Sequence, residues 1–185
     1  DVFFFSDYHS HLGTKLGGLV FFDEAKGYQR QIHTIENTPF RSKFEKDLET
    51  MNGNIGMGCI SDTDPQPLLV RSHLGLFAIT TVSLINNAEE LVEKIFIKAG
   101  HQFMLNATGK VNTTELIAKL INQCDNIVDG IRYAQEVIDG SCTIMIMTPD
   151  SLIVARDKVG RLPIIIGKKD TGYCACIESF ACQKL

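Results

Sequence analysis

The apolar residues of this chain change their spacing twice, from alternation to a helical period and back, and that order restricts its folds more than any other feature. The first sixty residues read as strand, turn, strand, strand and helix. An apolar run, Val2 to Phe5, opens the chain, and Gly13, Gly17 and Gly18 punctuate the stretch from Phe5 to Leu19. Gly18 opens a second apolar strand, Leu19 to Phe22, closed by a polar loop around Asp23 to Gly27, so a strand hairpin is expected there. Thr38-Pro39 offers a hydroxyl N-cap followed by proline at the first helical position. Phe40, Phe44, Leu48 and Met51 then recur along one helical face until Asn52-Gly53.

In the middle of the chain, Asn87 with Glu90 and Asn112 with Glu115 place a capping side chain three residues before an acid. Leu91, Val92, Ile95 and Phe96 follow the first pair, and Leu116, Ile117, Leu120 and Ile121 the second, which predicts two amphipathic helices. A third face, Ile127, Val128, Ile131, Ala134 and Ile138, predicts another helix that stops before Gly140. Short extended runs return at Cys142 to Met147, Leu152 to Ala155, Ile164 to Ile166 and Tyr173 to Ile177, and read as an antiparallel meander. Strands, then helices, then strands is the order of an α+β layered domain rather than of alternating βαβ units.

With 185 residues and 44% hydrophobic content the chain can bury one sizeable core, so residues 1–185 are expected to form a single domain. A net charge of -4, with no cationic cluster denser than Lys168-Lys169, gives no footprint for nucleic acid or an anionic membrane. The longest apolar runs, such as Ile144 to Met147, fall well below the roughly 20 residues of a membrane span. Val2 to Phe5 lacks the basic flank and cleavage site of a signal peptide, and a cytoplasmic address is expected.

Six cysteines, Cys59, Cys124, Cys142, Cys174, Cys176 and Cys182, are expected to be reduced thiols in a chain of this size. Strand alternation would aim Cys174 and Cys176 at one face, and His9 and His11 share that spacing. Neither pair has a companion at metal-ligand spacing, so no metal and no cofactor is expected. Ser61 to Asp64 has the composition of a capped turn before Pro65 as well as of a pocket rim. Thr80 and Thr81 suit a strand whatever their function. Arg156-Asp157 before Gly160 reads as a hairpin held by an Arg/Asp pair, Glu178-Ser179 as the end of the last strand, and Phe3-Phe4-Phe5 as core filling.

Three segments together resemble one family. SHLGTKLGGL, Ser10 to Leu19, sits where that family carries a QHRGQESAGI-like turn, and keeps His11, Gly13 and Gly18. GNIGMGCISDTDPQPLLVRSHLGLFAITTVSLINN, Gly53 to Asn87, is similar to GNIGIGHTRYST, QP and a strand ending in AHNGNL, with Gly58, Gln66, Pro67, Gly75, Leu84 and Asn86 matching in order. IVARDKVGRLPIIIGKKDTGYCACIESFA, Ile153 to Ala181, resembles VRDPxGxRPLxxGK and SES blocks. The chain thus resembles the class-II glutamine amidotransferase domain of amidophosphoribosyltransferases, an N-terminal-nucleophile hydrolase. The resemblance implies a four-layer αββα sandwich of two antiparallel sheets, with the family's first strand expected before Asp1.

In that family the nucleophile is the first cysteine of the mature protein, activated by its own α-amine. By distance to the SHLGTKLGGL turn, this cysteine is expected to precede Asp1, and the chain as written is expected not to hydrolyse glutamine. The family's arginine for the substrate carboxylate falls at Ser61, its Asn-Gly oxyanion pair at Thr81 and Val82, and its ammonium-binding aspartate at Thr113. With Asp62 and Thr80, these are the candidate pocket residues. Asp62, Arg71 and Lys110 are the charges available to replace a lost one.

The resemblance further implies ammonia delivered from an amide donor for phosphoribosylamine formation in purine synthesis. The expected partners are that donor or another small ligand and the phosphoribosyltransferase domain of a parent chain, whose acidic pyrophosphate motif has no counterpart up to Leu185. Self-association into a homo-oligomer stays open. The alternative is a non-catalytic sensing or interaction module on the same fold.

Overall fold

The computed structural model describes residues 1–99, 102, 103, 105 and 109–184. Strand β1 (Leu16–Asp23) lies between β2 (Gly27–Thr34) and β3 (Ile55–Ser61), antiparallel to both. A second antiparallel sheet runs β4 (Leu68–Ser72), β5 (Gly75–Ile85), β6 (Gly140–Met147) and β7 (Leu152–Ala155). Strands β8 (Ile165–Lys169) and β9 (Gly172–Cys176) form a separate hairpin. The helices are α1 (Val2–Tyr8), α2 (Phe40–Phe44), α3 (Ala88–Ala99), α4 (Thr113–Ile121), α5 (Ile127–Val137) and α6 (Ser179–Lys184).

Alternation along the central strands sorts the side chains into layers. Leu19 and Phe21 of β1 pack with Phe3 of α1 and with Phe40 and Phe44 of α2. Val20, between them, joins Met57 of β3, Ala78 of β5 and Met147 of β6 in the seam between the two sheets. On the far side Phe77, Ile79, Ile144 and Ile146 meet Leu91 and Ile95 of α3, Leu116, Ile117 and Leu120 of α4, and Ile131 of α5. The result is the αββα sandwich. Each fully buried side chain of this size contributes about 1.5–3 kcal/mol. Tyr28 ties the sheets together, its hydroxyl 3.1 and 3.0 Å from the carbonyls of Leu76 and Met147. Burial, helped by the charge of Asp150, pushes that phenol up to about 12, so it stays a neutral donor.

The structure corrects several expectations. Val2 to Tyr8 is a helix and not a strand: its buried residues, Phe3 and Ser6, are three apart, the spacing of a helical face and not of strand alternation, while Phe4 reaches solvent. Gly17 and Gly18 are not punctuation but lie inside β1. A Cβ on Gly17 would come within 2.7 Å of the Phe40 ring, and one on Gly18 within 1.8 Å of the Gln66 carbonyl oxygen. Glycine here is what allows two opposite close approaches.

The expected hairpin exists, with its turn between Asp23 and Gly27, but it begins at Leu16. Pro39 rather than Thr38 is the N-cap of α2, which ends at Phe44 once Phe40 and Phe44 have stacked at 4.3 Å over β1. A 3-10 turn follows, Asp47–Glu49, and Asp47 meets His33 at 2.7 Å. The meander is divided, with β6 and β7 completing the second sheet while β8 and β9 stand apart. No helix among the described residues is long and apolar enough to cross a membrane.

Candidate functional site

Ser61 and Asp62 close the end of β3, and both are engaged by nearby backbone. The Ser61 hydroxyl accepts hydrogen bonds from the N–H groups of Thr63 (3.3 Å) and Asp64 (3.2 Å), the geometry of a capped turn. Asp62 Oδ1 accepts from the N–H of Thr14 at 2.7 Å and of Lys15 at 3.0 Å, pinning the loop that enters β1. These bonds, that of Thr14 foremost, hold the Asp62 carboxyl below the usual carboxylate range.

Thr80 and Thr81 point to opposite faces of β5. Thr80 Oγ1 sits in the seam between the sheets, 3.6 Å from Met57 Sδ. Thr81 Oγ1 faces the helices and lies 2.7 Å from Thr114 Oγ1, and two residues on Ser83 donates to Thr113 Oγ1 at 3.1 Å. The N-terminus of α4 is thereby stitched to β5, with Asn112 Oδ1 capping it through the Glu115 N–H at 2.9 Å. Strand β4 starts at Leu68, opposite Ile79, so beyond that point the backbone of Thr81 needs another partner on that edge. Gln66 supplies it: its Oε1 accepts the Thr81 N–H at 2.8 Å and its Nε2 donates to the Thr81 carbonyl at 3.2 Å. Val82 follows with its side chain half in solvent, 49% exposed.

No family model matches the chain. It is 25% identical over 183 residues to an amidophosphoribosyltransferase of Archaeoglobus fulgidus, covering 95% of this chain and 39% of that protein. A second amidophosphoribosyltransferase, from Methanocaldococcus jannaschii, is 27% identical over 166 residues, covering 84% of this chain and 35% of its own length. Among solved structures, glutamine phosphoribosylpyrophosphate amidotransferase from B. subtilis, complexed with ADP and GMP, superposes with a TM-score of 0.80 at 24% identity, covering 96% of this chain and 39% of that one. The chain is related to the glutamine amidotransferase domain of amidophosphoribosyltransferases. A structure described as the allosteric regulatory enzyme of purine biosynthesis matches with the same TM-score and identity, over 97% of this chain and 39% of its own. At this identity the structural likeness establishes the fold, which is the N-terminal-nucleophile sandwich. The chain spans about two-fifths of the length of the amidophosphoribosyltransferases it matches.

The six candidate positions of this amidophosphoribosyltransferase relative are thus spread over three settings. Ser61 and Asp62 hold the β3 end, Thr80 and Val82 lie on one face of β5, and Thr81 on the other face meets the start of α4, to which Thr113 belongs. Gln66, Ser83 and Thr114 complete the arrangement and were not among the candidates. The QP pair carried the signal for Gln66, and strand alternation from Thr81 carried it for Ser83. Of the charges available to replace a lost one, Arg71 is exposed on β4 and Lys110 is exposed ahead of α4.

Cys59, at the position of the family histidine, has its thiol pushed up to about 12 by desolvation, which suits packing and not attack. Asp157 is not paired with Arg156 as expected. Its carboxylate accepts the N–H groups of Cys142 at 2.5 Å and Gly160 at 2.8 Å, because a buried carboxylate beside free backbone donors is best satisfied by them. Glu178 lies past the last strand, its Oε2 3.1 Å from His11 Nε2. His9 Nδ1 bonds the Phe5 carbonyl at 2.7 Å and His11 Nδ1 that of Tyr8 at 2.9 Å, so both rings are tied to α1. Among the described residues no group of three or more His, Cys, Asp or Glu could hold a metal ion.

Proposed function

We propose that residues 1–185 are one amidotransferase-type domain of an amidophosphoribosyltransferase-related protein of purine synthesis, and that its pocket does not recognise free glutamine. The observation that supports this is the use of the polar side chains at the recognition positions. Ser61 holds its own turn, the Thr81 hydroxyl is spent on Thr114, and the Thr113 hydroxyl is spent on Ser83. A serine hydroxyl lacks the charged, bidentate fork of an arginine, and threonine in place of aspartate leaves a substrate ammonium without its counter-charge. Two such hydrogen bonds to charged groups, at about 1.5–3 kcal/mol each, amount to roughly two to four orders of magnitude in affinity. The loss lies in these side chains whatever residues precede Asp1. In the parent chain a phosphoribosyltransferase domain, using ammonia from an amide donor, would be the partner, in the cytoplasm.

The second reading, a sensing or interaction module without catalysis, draws on the same closed hydrogen-bond set. Assaying ammonia release from L-glutamine by the purified chain, beside thermal shifts with amino acids and amides, separates the readings. No release above blank is expected. Turnover of glutamine would overturn the inactive pocket, and a ligand that raises the melting temperature without releasing ammonia would favour the module.

A further inference from the structure

The β8–β9 hairpin and α6 bring three thiols together outside the candidate pocket. Cys174 and Cys176, two apart on β9, face the same side, and α6 lays Cys182 over them. Cys182 Sγ lies 3.3 Å from Cys176 Sγ and 3.9 Å from Cys174 Sγ. The space for the sulfurs comes from Gly167, which pairs with Cys174 across the hairpin. A Cβ at Gly167 would come within 2.6 Å of Cys174 Sγ and 3.1 Å of Cys182 Sγ. Cys176 is buried and its thiol donates to the Glu178 carbonyl at 3.2 Å, whereas Cys174 and Cys182 keep solvent access. Cys59 and Cys142, in contrast, have thiols that burial pushes up to about 12.

We propose that this cluster is a thiol–disulfide exchange site, in which Cys182 is the pivot and closes a disulfide with Cys176 when a low-molecular-weight disulfide such as glutathione disulfide is present. The Cys182 thiolate attacks one sulfur of the reagent, the reagent's S–S bond breaks, and one glutathione leaves carrying the proton that Cys182 gave up. The Cys176 thiolate then attacks Cys182 Sγ, forms the intramolecular S–S bond and expels the second glutathione, which takes the Cys176 proton. Two protein thiols are oxidised and one glutathione disulfide is reduced to two thiols. Cys174, also beside Cys182, is the alternative partner. The bond would fasten α6, whose Phe180 packs against Tyr8, His9 and His11, onto the hairpin. Desolvation raises the Cys174 and Cys182 thiols, so exchange should quicken as pH rises above neutrality.

The test treats the folded chain with glutathione disulfide, blocks remaining thiols with iodoacetamide, and digests it without reductant. Trypsin releases Asp170 to Lys184 with all three cysteines, and cleavage after Glu178 then separates Cys174 and Cys176 from Cys182. The two halves should stay joined until reductant is added. C182S should abolish the link, C174S should leave it, and C176S should move it to Cys174. Far-UV circular dichroism and an unchanged alkylation pattern at Cys59 and Cys142 verify that each variant is folded. Full alkylation of all three thiols in the treated wild-type chain, a link that survives in C182S, or links only between molecules would overturn the proposal.

Discussion

The side-chain carboxamide of Gln66 grips the backbone of Thr81 at both its N–H and its carbonyl, and so continues the edge of the second sheet where β4 has not yet begun. Both residues are buried. Removing the amide therefore strands two backbone groups away from water, each worth about 1–3 kcal/mol. Gln66→Ala should lower unfolding free energy by about 2–6 kcal/mol in urea titration. Gln66→Glu keeps the acceptor but sets a carboxylate against the Thr81 carbonyl. Its loss should be greatest at neutral pH and should shrink as acid protonates the variant's carboxyl and restores a donor.

Thr81 and Thr114 should behave as a coupled pair. Thr114→Val leaves the Thr81 hydroxyl buried without its partner at a cost of about 1–3 kcal/mol. The double change to valine removes both hydroxyls and should cost less than the sum of the two single changes. A double-mutant cycle on denaturation free energies reads that coupling, and strict additivity would contradict it.

Gly18→Ala should be among the most damaging single-methyl changes, because the added carbon meets the carbonyl oxygen of Gln66 and not a flexible side-chain tip. A loss of about 3 kcal/mol or more is expected, read as a shifted urea midpoint. Gly27→Ala, in the exposed β1–β2 turn, meets no neighbouring atom but has φ of 71°, so its smaller penalty measures backbone strain alone.

Asp62 supplies a pH-dependent contribution of known sign. Its folded carboxyl is held below the ordinary carboxylate range, chiefly by the Thr14 N–H. The stabilisation is therefore present above the ordinary carboxylate range and is lost as pH falls through the lowered folded value. Asp62→Ala should be less stable than the wild type at pH 7, and the gap should close in acid. A gap that stays constant down the acid limb would show that the Thr14 and Lys15 contacts carry no charge.

Local periodicity was enough to read an α+β domain and its middle helices, whereas the four-layer stacking was implied by the family resemblance. The Asn112 cap binds Glu115 as its spacing predicts, and Cys174 and Cys176 share a face as strand alternation requires. Such features depend on residues a few positions apart. The Asn87 side chain behaved differently: it bonds Val137 and Asp139, fifty or more positions away, a contact to which a capping pattern is blind. The Gln66 grip, the role of Gly17 and Gly18 as contact surfaces, and the arrival of Cys182 beside Cys176 arise in the same way from segments that meet only after folding. Helix α1 was missed because three successive phenylalanines carry no period, and only the docking of Phe3 and Ser6 decides their conformation.

The His11–Glu178 contact joins positions near opposite ends of the described chain, and Lys169 reaches Asp1 in the same region at 3.1 Å. Helix α1 cannot complete its packing until β8, β9 and α6 have been made, as the 168 positions between Asp1 and Lys169 show. Maturation of this molecule should accordingly be slow for its size, set by the search for far-separated neighbours and not by how readily each helix coils.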